Sequence, residues 1–167
     1  MKSAPLLCLA LLLSGSNAAP AADQPVAAPV YAVAEYDPKR DPAVDLKAAV
    51  KLAGKDGRRI LLVVGGDWCG WCRQLGRVFA SDREIAQVLA VSYVIMKVNY
   101  SDENGNLFFL QDYPDIDEFP HFYVLDANGR LLHSQANRAF EKLGGYRNKS
   151  MLEFFRRWAP KAAGQSR

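Results

Sequence analysis

Ile60-Leu61-Leu62-Val63-Val64-Gly65-Gly66-Asp67-Trp68-Cys69-Gly70-Trp71-Cys72 runs a short apolar segment straight into a CxxC motif. The apolar stretch has strand length and reads as a fully buried strand. Two cysteines two residues apart fit a zinc half-site, a structural disulfide or a redox pair. The context favours the last: a strand ending in Gly65-Gly66-Asp67 delivers the pair to the first turn of a helix, as reversible thiol–disulfide chemistry requires. Free backbone N–H groups and the positive end of a helix dipole would both stabilise a Cys69 thiolate there. Cys72 would lie one turn deeper on the same face, within bridging distance. Zinc needs further ligands, and no second CxxC or paired-histidine motif is present.

The chain has 167 residues and a net charge of +3, or +2 without Lys2, too small to argue for nucleic acid. No glycine-rich phosphate loop is present. Lys2, an apolar core over 6–13 and small residues over 14–18 have the layout of a cleaved secretory signal, with the cut before Ala19. The apolar core is too short to span a bilayer. Cys8 follows the large Leu7 where a lipoprotein signal wants a small residue. Removal of the signal leaves Cys69 and Cys72 as the only cysteines, in an oxidising compartment. A bridge closing so small a loop constrains the unfolded chain little, which disfavours a purely structural role. The ending Gly164-Gln165-Ser166-Arg167 is no ER-retention signal, so a bacterial periplasm is expected.

These features divide the chain into a signal (1–18), an Ala/Pro-rich flexible lead or surface arm (19–38), one domain (39–160) and a tail (161–167). Within the domain, Asp41-Pro42 reads as N-cap and first helical residue, with Val44, Ala48 and Leu52 at helical spacing. Helices are predicted over 69–80 and, opened by a capping box on Ser81 and Glu84, to about 90. A strand over 93–100 places Val94, Met96 and Val98 on one face, and a short helix follows over 106–112. A hairpin turns at Asp126-Ala127-Asn128-Gly129, and an amphipathic helix over 148–158 closes the domain. The order α-β-α-α-β-α-β-β-α implies an α/β fold, a central mixed β-sheet flanked by helices on both faces.

From about Asp41 to Trp158 the chain resembles the thioredoxin superfamily, and within it the small exported bacterial thioredoxin-like proteins. The resemblance rests on the strand feeding Trp68-Cys69-Gly70-Trp71-Cys72, the strand Ile95-Met96-Lys97-Val98-Asn99, the pair Phe119-Pro120, and Gly145 before the last helix. It implies an exposed nucleophile at Cys69, a resolving thiol at Cys72 and a cis bond at Pro120 facing them. Cys69 thiolate would attack a substrate disulfide, and Cys72 would then release reduced substrate and leave the pair oxidised. Trp68, Gly70, Trp71, Phe119 and Pro120 are the candidate substrate contacts, with the Phe119 backbone free to pair with an extended segment. The implied activity is protein thiol–disulfide exchange, reduction favoured over oxidation or isomerisation. The implied partners are protein thiols and disulfides, and a membrane protein supplying thiol electrons. No cofactor beyond the Cys69–Cys72 disulfide, no metal and a monomer are expected.

The departures matter as much. Six residues before Cys69 the family commonly has a buried acid, and this chain has Val63; Lys97, at the position of the family's lysine, then lacks its usual partner. Slower deprotonation of Cys72 follows, with an altered pH profile expected for Val63→Asp. Gly70-Trp71 replaces Gly-Pro, which alters the N–H donors around Cys69 sulfur. Trp68 reads more readily as a shield of the site than as a contact, with a core position at least as good a reading, and Trp71 reads equally as packing on its own domain. Asp67 reads as a solvated carboxylate, Arg73 as a helix-face cation, and the acids of 112–118 as a solvated rim. Two rivals stand beside the redox reading. One is a copper or zinc module using Cys69, Cys72 and His121. The other is a non-catalytic interaction domain with a structural bridge.

Overall fold

The apolar run becomes the centre of the molecule. In the computed structural model, which describes residues 27–161, it lies in strand β2 (Arg59–Gly65), whose residues Ile60 to Val64 are all buried. The proposed signal (1–18), the start of the lead (19–26) and most of the tail (162–167) lie outside the described residues. Beside β2 runs β3 (Tyr93–Asn99), parallel, with Val63 opposite Lys97; on its other side β4 (His121–Leu125) is antiparallel, with Val64 opposite His121. Two edge strands complete the sheet in the order β1-β3-β2-β4-β5: β1 (Val30–Val33), parallel to β3, and β5 (Leu131–Ala136), antiparallel to β4.

Side chains alternate across the sheet. Leu61, Val63, Ile95, Phe122 and Val124 face one core, and Ile60, Leu62, Val64, Val94, Met96, Val98, Tyr123 and Leu125 face the other. The first is covered by α2 (Gly70–Ser81), α3 (Arg83–Ser92) and α5 (Asn148–Trp158) through Leu75, Phe79, Ile85, Leu89, Met151 and Phe155. The second is covered by α1 (Pro42–Asp56) and the single turn α4 (Leu107–Leu110) through Ala49, Ala53 and Leu110. A 3-10 turn (Asn137–Phe140) and a two-residue ladder of β6 (Glu141–Lys142) with β7 (Gly145–Tyr146) lead into α5. The expected mixed sheet with helices on both faces is present. Among the described residues no helix is long and apolar enough to cross a membrane.

The caps explain most boundaries. Asp41 accepts from the Ala43 N–H with Pro42 in the first helical turn, and Gly57, at φ 68°, closes α1 by donating its N–H to the Ala53 carbonyl. Asp82 joins two helices. Its N–H donates to the Val78 carbonyl at 2.9 Å to end α2, and its Oδ1 accepts from the Ile85 N–H at 3.1 Å to start α3. In the hairpin, Asp126 Oδ1 accepts from the Asn128 and Arg130 N–H groups at 2.9 and 3.0 Å, while Gly129 takes the left-handed conformation at φ 85°.

Three readings need correction. Residues 30–33, assigned to the lead, form an edge strand: they are apolar and β-prone, and β3 offers them an open edge. The buried stripe of α1 is Pro42, Asp45, Ala49 and Ala53, one position on from Val44, Ala48 and Leu52. Small alanines let the helix approach the sheet, and Arg40 Nε neutralises Asp45 at 2.8 Å. The cap of α3 is Asp82 rather than Ser81, which is the last residue of α2.

Candidate active site

Backbone geometry at the end of β2 sets the cysteines in place. Gly65 lies under them: a Cβ there would sit 2.5 Å from Cys72 Sγ and 3.2 Å from Tyr36 Oη. Gly66 is equally confined, since a Cβ would collide with the Trp68 indole, and its carbonyl accepts from the Cys69 N–H at 3.0 Å. The chain then enters α2 with Cys69 as N-cap, in extended conformation at φ −81° and ψ 112°. Cys69 Sγ accepts the Cys72 N–H at 3.1 Å and is bonded to Cys72 Sγ, with the two Cα atoms 5.2 Å apart. The sulfur therefore occupies the place of a capping oxygen, at the helix end where negative charge is stabilised.

An aromatic frame surrounds the pair. Trp68 donates its indole N–H to the Tyr100 carbonyl at 2.7 Å and meets Phe119 edge-on at 5.5 Å, while Phe119 lies over Tyr100 at 4.6 Å. Trp68 remains 57% exposed, so it shields the site from one side and presents its other face to solvent. Trp71 is half-buried, edge-on to Tyr146 at 5.2 Å, and the Tyr146 hydroxyl lies 3.0 Å from both the Trp71 carbonyl and Asn137 Oδ1. Gly70 is exposed; Pro120 is buried and follows a cis peptide bond from Phe119. Cys69 is not the exposed thiol that the resemblance implied: in the bonded pair it is 5% exposed and Cys72 3%, packed with Tyr36, Trp71 and Phe119.

The substituted acid position behaves as an apolar one, with Val63 packed in the core beneath α2. Lys97, beside it, finds partners that the sequence did not reveal. Its ammonium stands 5.0 Å from the centre of the Tyr36 ring and 4.0 Å from Glu35 Oε2. Both residues follow β1, in the segment read as lead. Arg73 donates to the Asp67 carbonyl instead of facing the sulfurs, and Asp67 is exposed. Of the acidic rim, Asp117 and Glu118 are engaged by Arg138, and this pairing holds Asp117 below its ordinary pKa.

His121 has other contacts. Its Nε2 lies 2.8 Å from Ser134 Oγ, its ring leans on Tyr123 at 4.8 Å, and burial lowers its pKa against the opposing pull of Asp117 and Glu118. Among the described residues no three His, Cys, Asp or Glu side chains come together in a way that could hold a metal, so the set of Cys69, Cys72 and His121 is not assembled.

Residues 41–127 match the thioredoxin-like family, more than half of the chain. The chain belongs to that family. It is a thioredoxin-like thiol–disulfide oxidoreductase with a Cys69–Cys72 disulfide. No curated protein matches it by sequence. Among solved structures it is similar to a disulphide isomerase from Xylella fastidiosa Temecula1, with a TM-score of 0.64 and 22% identity over 73% of this chain and 94% of that one. It is also similar to the germline-specific thioredoxin Deadhead of Drosophila melanogaster, with a TM-score of 0.50 and 19% identity over 75% and 98% of the two chains. A structure named DsbH oxidoreductase matches at a TM-score of 0.48 and 21% identity, over 74% and 86%. At these identities the likeness is one of fold.

Proposed function

We propose that the protein is an exported disulfide reductase of protein substrates, with Cys69 as the attacking sulfur and Cys72 as the resolving one. The observation that carries the assignment of roles is Cys69 Sγ at the N-cap of α2, receiving the Cys72 N–H at 3.1 Å. A thiolate is the nucleophile in exchange, and the capping position, with its N–H donor, stabilises one at Cys69. Cys72, inside the first turn of α2 and bonded to Cys69, is placed to attack that neighbour.

Cys69 thiolate attacks one sulfur of a substrate disulfide, and the other substrate sulfur leaves with the bonding electron pair. Cys72 thiolate then attacks Cys69 Sγ; the mixed disulfide breaks, the second substrate sulfur departs as thiolate, and Cys69–Cys72 forms. Two electrons pass from the cysteine pair to the substrate, so no bound cofactor is needed. Phe119, Trp68 and Trp71 frame the approach for an extended substrate segment. The signal-like stretch over 1–18 supports export to a periplasm, where a reductase must be recharged by thiol electrons from a membrane donor. A monomer suffices, since one chain carries the whole site.

Equilibration of the Cys69–Cys72 couple with a glutathione buffer tests the direction. A reductase predicts a couple more reducing than glutathione. A clearly more oxidising couple would make the protein an oxidase or isomerase, and a bridge that no thiol buffer opens would make it structural.

A further inference from the structure

Tyr36 is a buried phenol whose hydroxyl is unpartnered among the described residues. It is 7% exposed and packs in one cluster with Cys69 and Cys72. Its Oη and Cys72 Sγ flank the same point above Gly65, at 3.2 and 2.5 Å from the place a Cβ would take. An unpaired buried hydroxyl is costly, and a role in the redox chemistry beside it is one explanation for its retention. A disulfide sulfur is a poor acceptor, and a thiolate is a strong one. The two chemical states of the site differ in this respect.

We propose that the Tyr36 hydroxyl donates a hydrogen bond to the Cys72 thiolate once the pair is opened, and so takes over the stabilising role left vacant by Val63. The inference rests on the thiol–disulfide exchange reading and holds for either direction of electron flow. The phenol donates without ionising. Burial above all, with Tyr146, Asp67 and Tyr31 adding to it, pushes its pKa far above the ordinary value, so it keeps its proton throughout. The Cys72 proton goes to solvent. The freed electron pair on sulfur then forms the bond to Cys69 Sγ, and the substrate sulfur leaves with the electrons of the bond that breaks.

Other groups set the local field. Lys97 from β3 stands over the Tyr36 ring, with Glu35 beside it. Asp67 from the loop after β2, Tyr31 from β1 and Tyr146 from β7 also face the phenol. All five remain when Tyr36 becomes Phe, which keeps the ring beneath Lys97 and removes the hydroxyl alone.

The test is the pH titration of Cys72 thiolate, followed by ultraviolet absorbance and alkylation rate, in Cys69→Ser protein with Tyr36 or with Tyr36→Phe. The hydroxyl should be worth about one pH unit, so the Phe variant should hold roughly tenfold less thiolate at neutral pH. Resolution of a preformed mixed disulfide on Cys69 should slow by a similar factor in Tyr36→Phe protein. Unchanged midpoint and resolution rate would overturn the inference. Should the Phe variant not fold, the Tyr36 carbon resonance next to oxygen, labelled in the reduced natural chain, decides: it should move with the Cys72 titration, and an unmoved resonance overturns the proposal. Exchange of the natural chain with a disulfide-bonded test protein separates the two failures. If that exchange is absent, the redox reading itself falls; if it proceeds normally and Tyr36→Phe matches it, only the role of Tyr36 falls.

Discussion

Trp68 combines a fixed position with an open face, because its indole N–H is held by the Tyr100 carbonyl while more than half of the residue meets solvent. Trp68→Ala should therefore cost little stability and weaken protein recognition. Exchange with a protein disulfide should fall about tenfold, with a small-molecule disulfide reacting at nearly the natural rate; paired rate measurements check this. Tyr146 acts on the other flank. Tyr146→Phe leaves the fully buried Asn137 short of a partner and frees the Trp71 carbonyl, which should cost about 1–3 kcal/mol in denaturant unfolding. The two cysteines were legible from sequence because their chemistry is contained in a five-residue motif. Tyr36 and Glu35 were not, since they reach the site from a separate segment across the sheet, and nothing in an Ala/Pro-rich stretch marks a tyrosine as buried. The burial of Cys69 was also hidden, because it comes from distant aromatic rings.

Asp82 carries more of the architecture than any other cap. It ends α2, starts α3 and accepts from Asn148 Nδ2 at 2.8 Å at the first residue of α5, so it ties together the three helices of one face. Asp82→Ala should cost about 1–2 kcal/mol by urea unfolding, with Asp82→Asn recovering much of it. Ser81→Ala should lie within about 0.5 kcal/mol of the natural chain, as for a surface position away from the cap. A capping-box pattern led the sequence to Ser81, and the stronger acceptor one residue later prevailed. Elements with strong periodicity or turn chemistry were legible, including β2, the hairpin at Asp126–Gly129 and α5. The face of α1 was not, because two alanine-rich stripes differ by one position and only the sheet selects between them. Strand β1 needed a partner edge that is distant in sequence.

Across the whole molecule, the sheet brings one buried histidine into the interior beside the acidic rim. Burial holds the His121 pKa below 6.5, so the folded chain takes up that proton less readily than the unfolded chain. Well above pH 6.5 neither state carries it; as pH falls through 6.5 the unfolded state gains it first, and stability declines. Unfolding free energy measured from pH 7 to about 5 should fall by at most about 1.4 kcal/mol per pH unit from this group, and the decline should flatten in His121→Gln. The central claim concerns the two sulfurs, which the sheet, α2 and the aromatic frame together hold at a helix tip. Cys72→Ser and Cys69→Ser proteins, each mixed with a disulfide-bonded test protein and resolved without reductant, test it most directly. The account predicts a covalent mixed disulfide through Cys69 in the first protein and almost none in the second; equal trapping by both, or trapping through Cys72 alone, would contradict it.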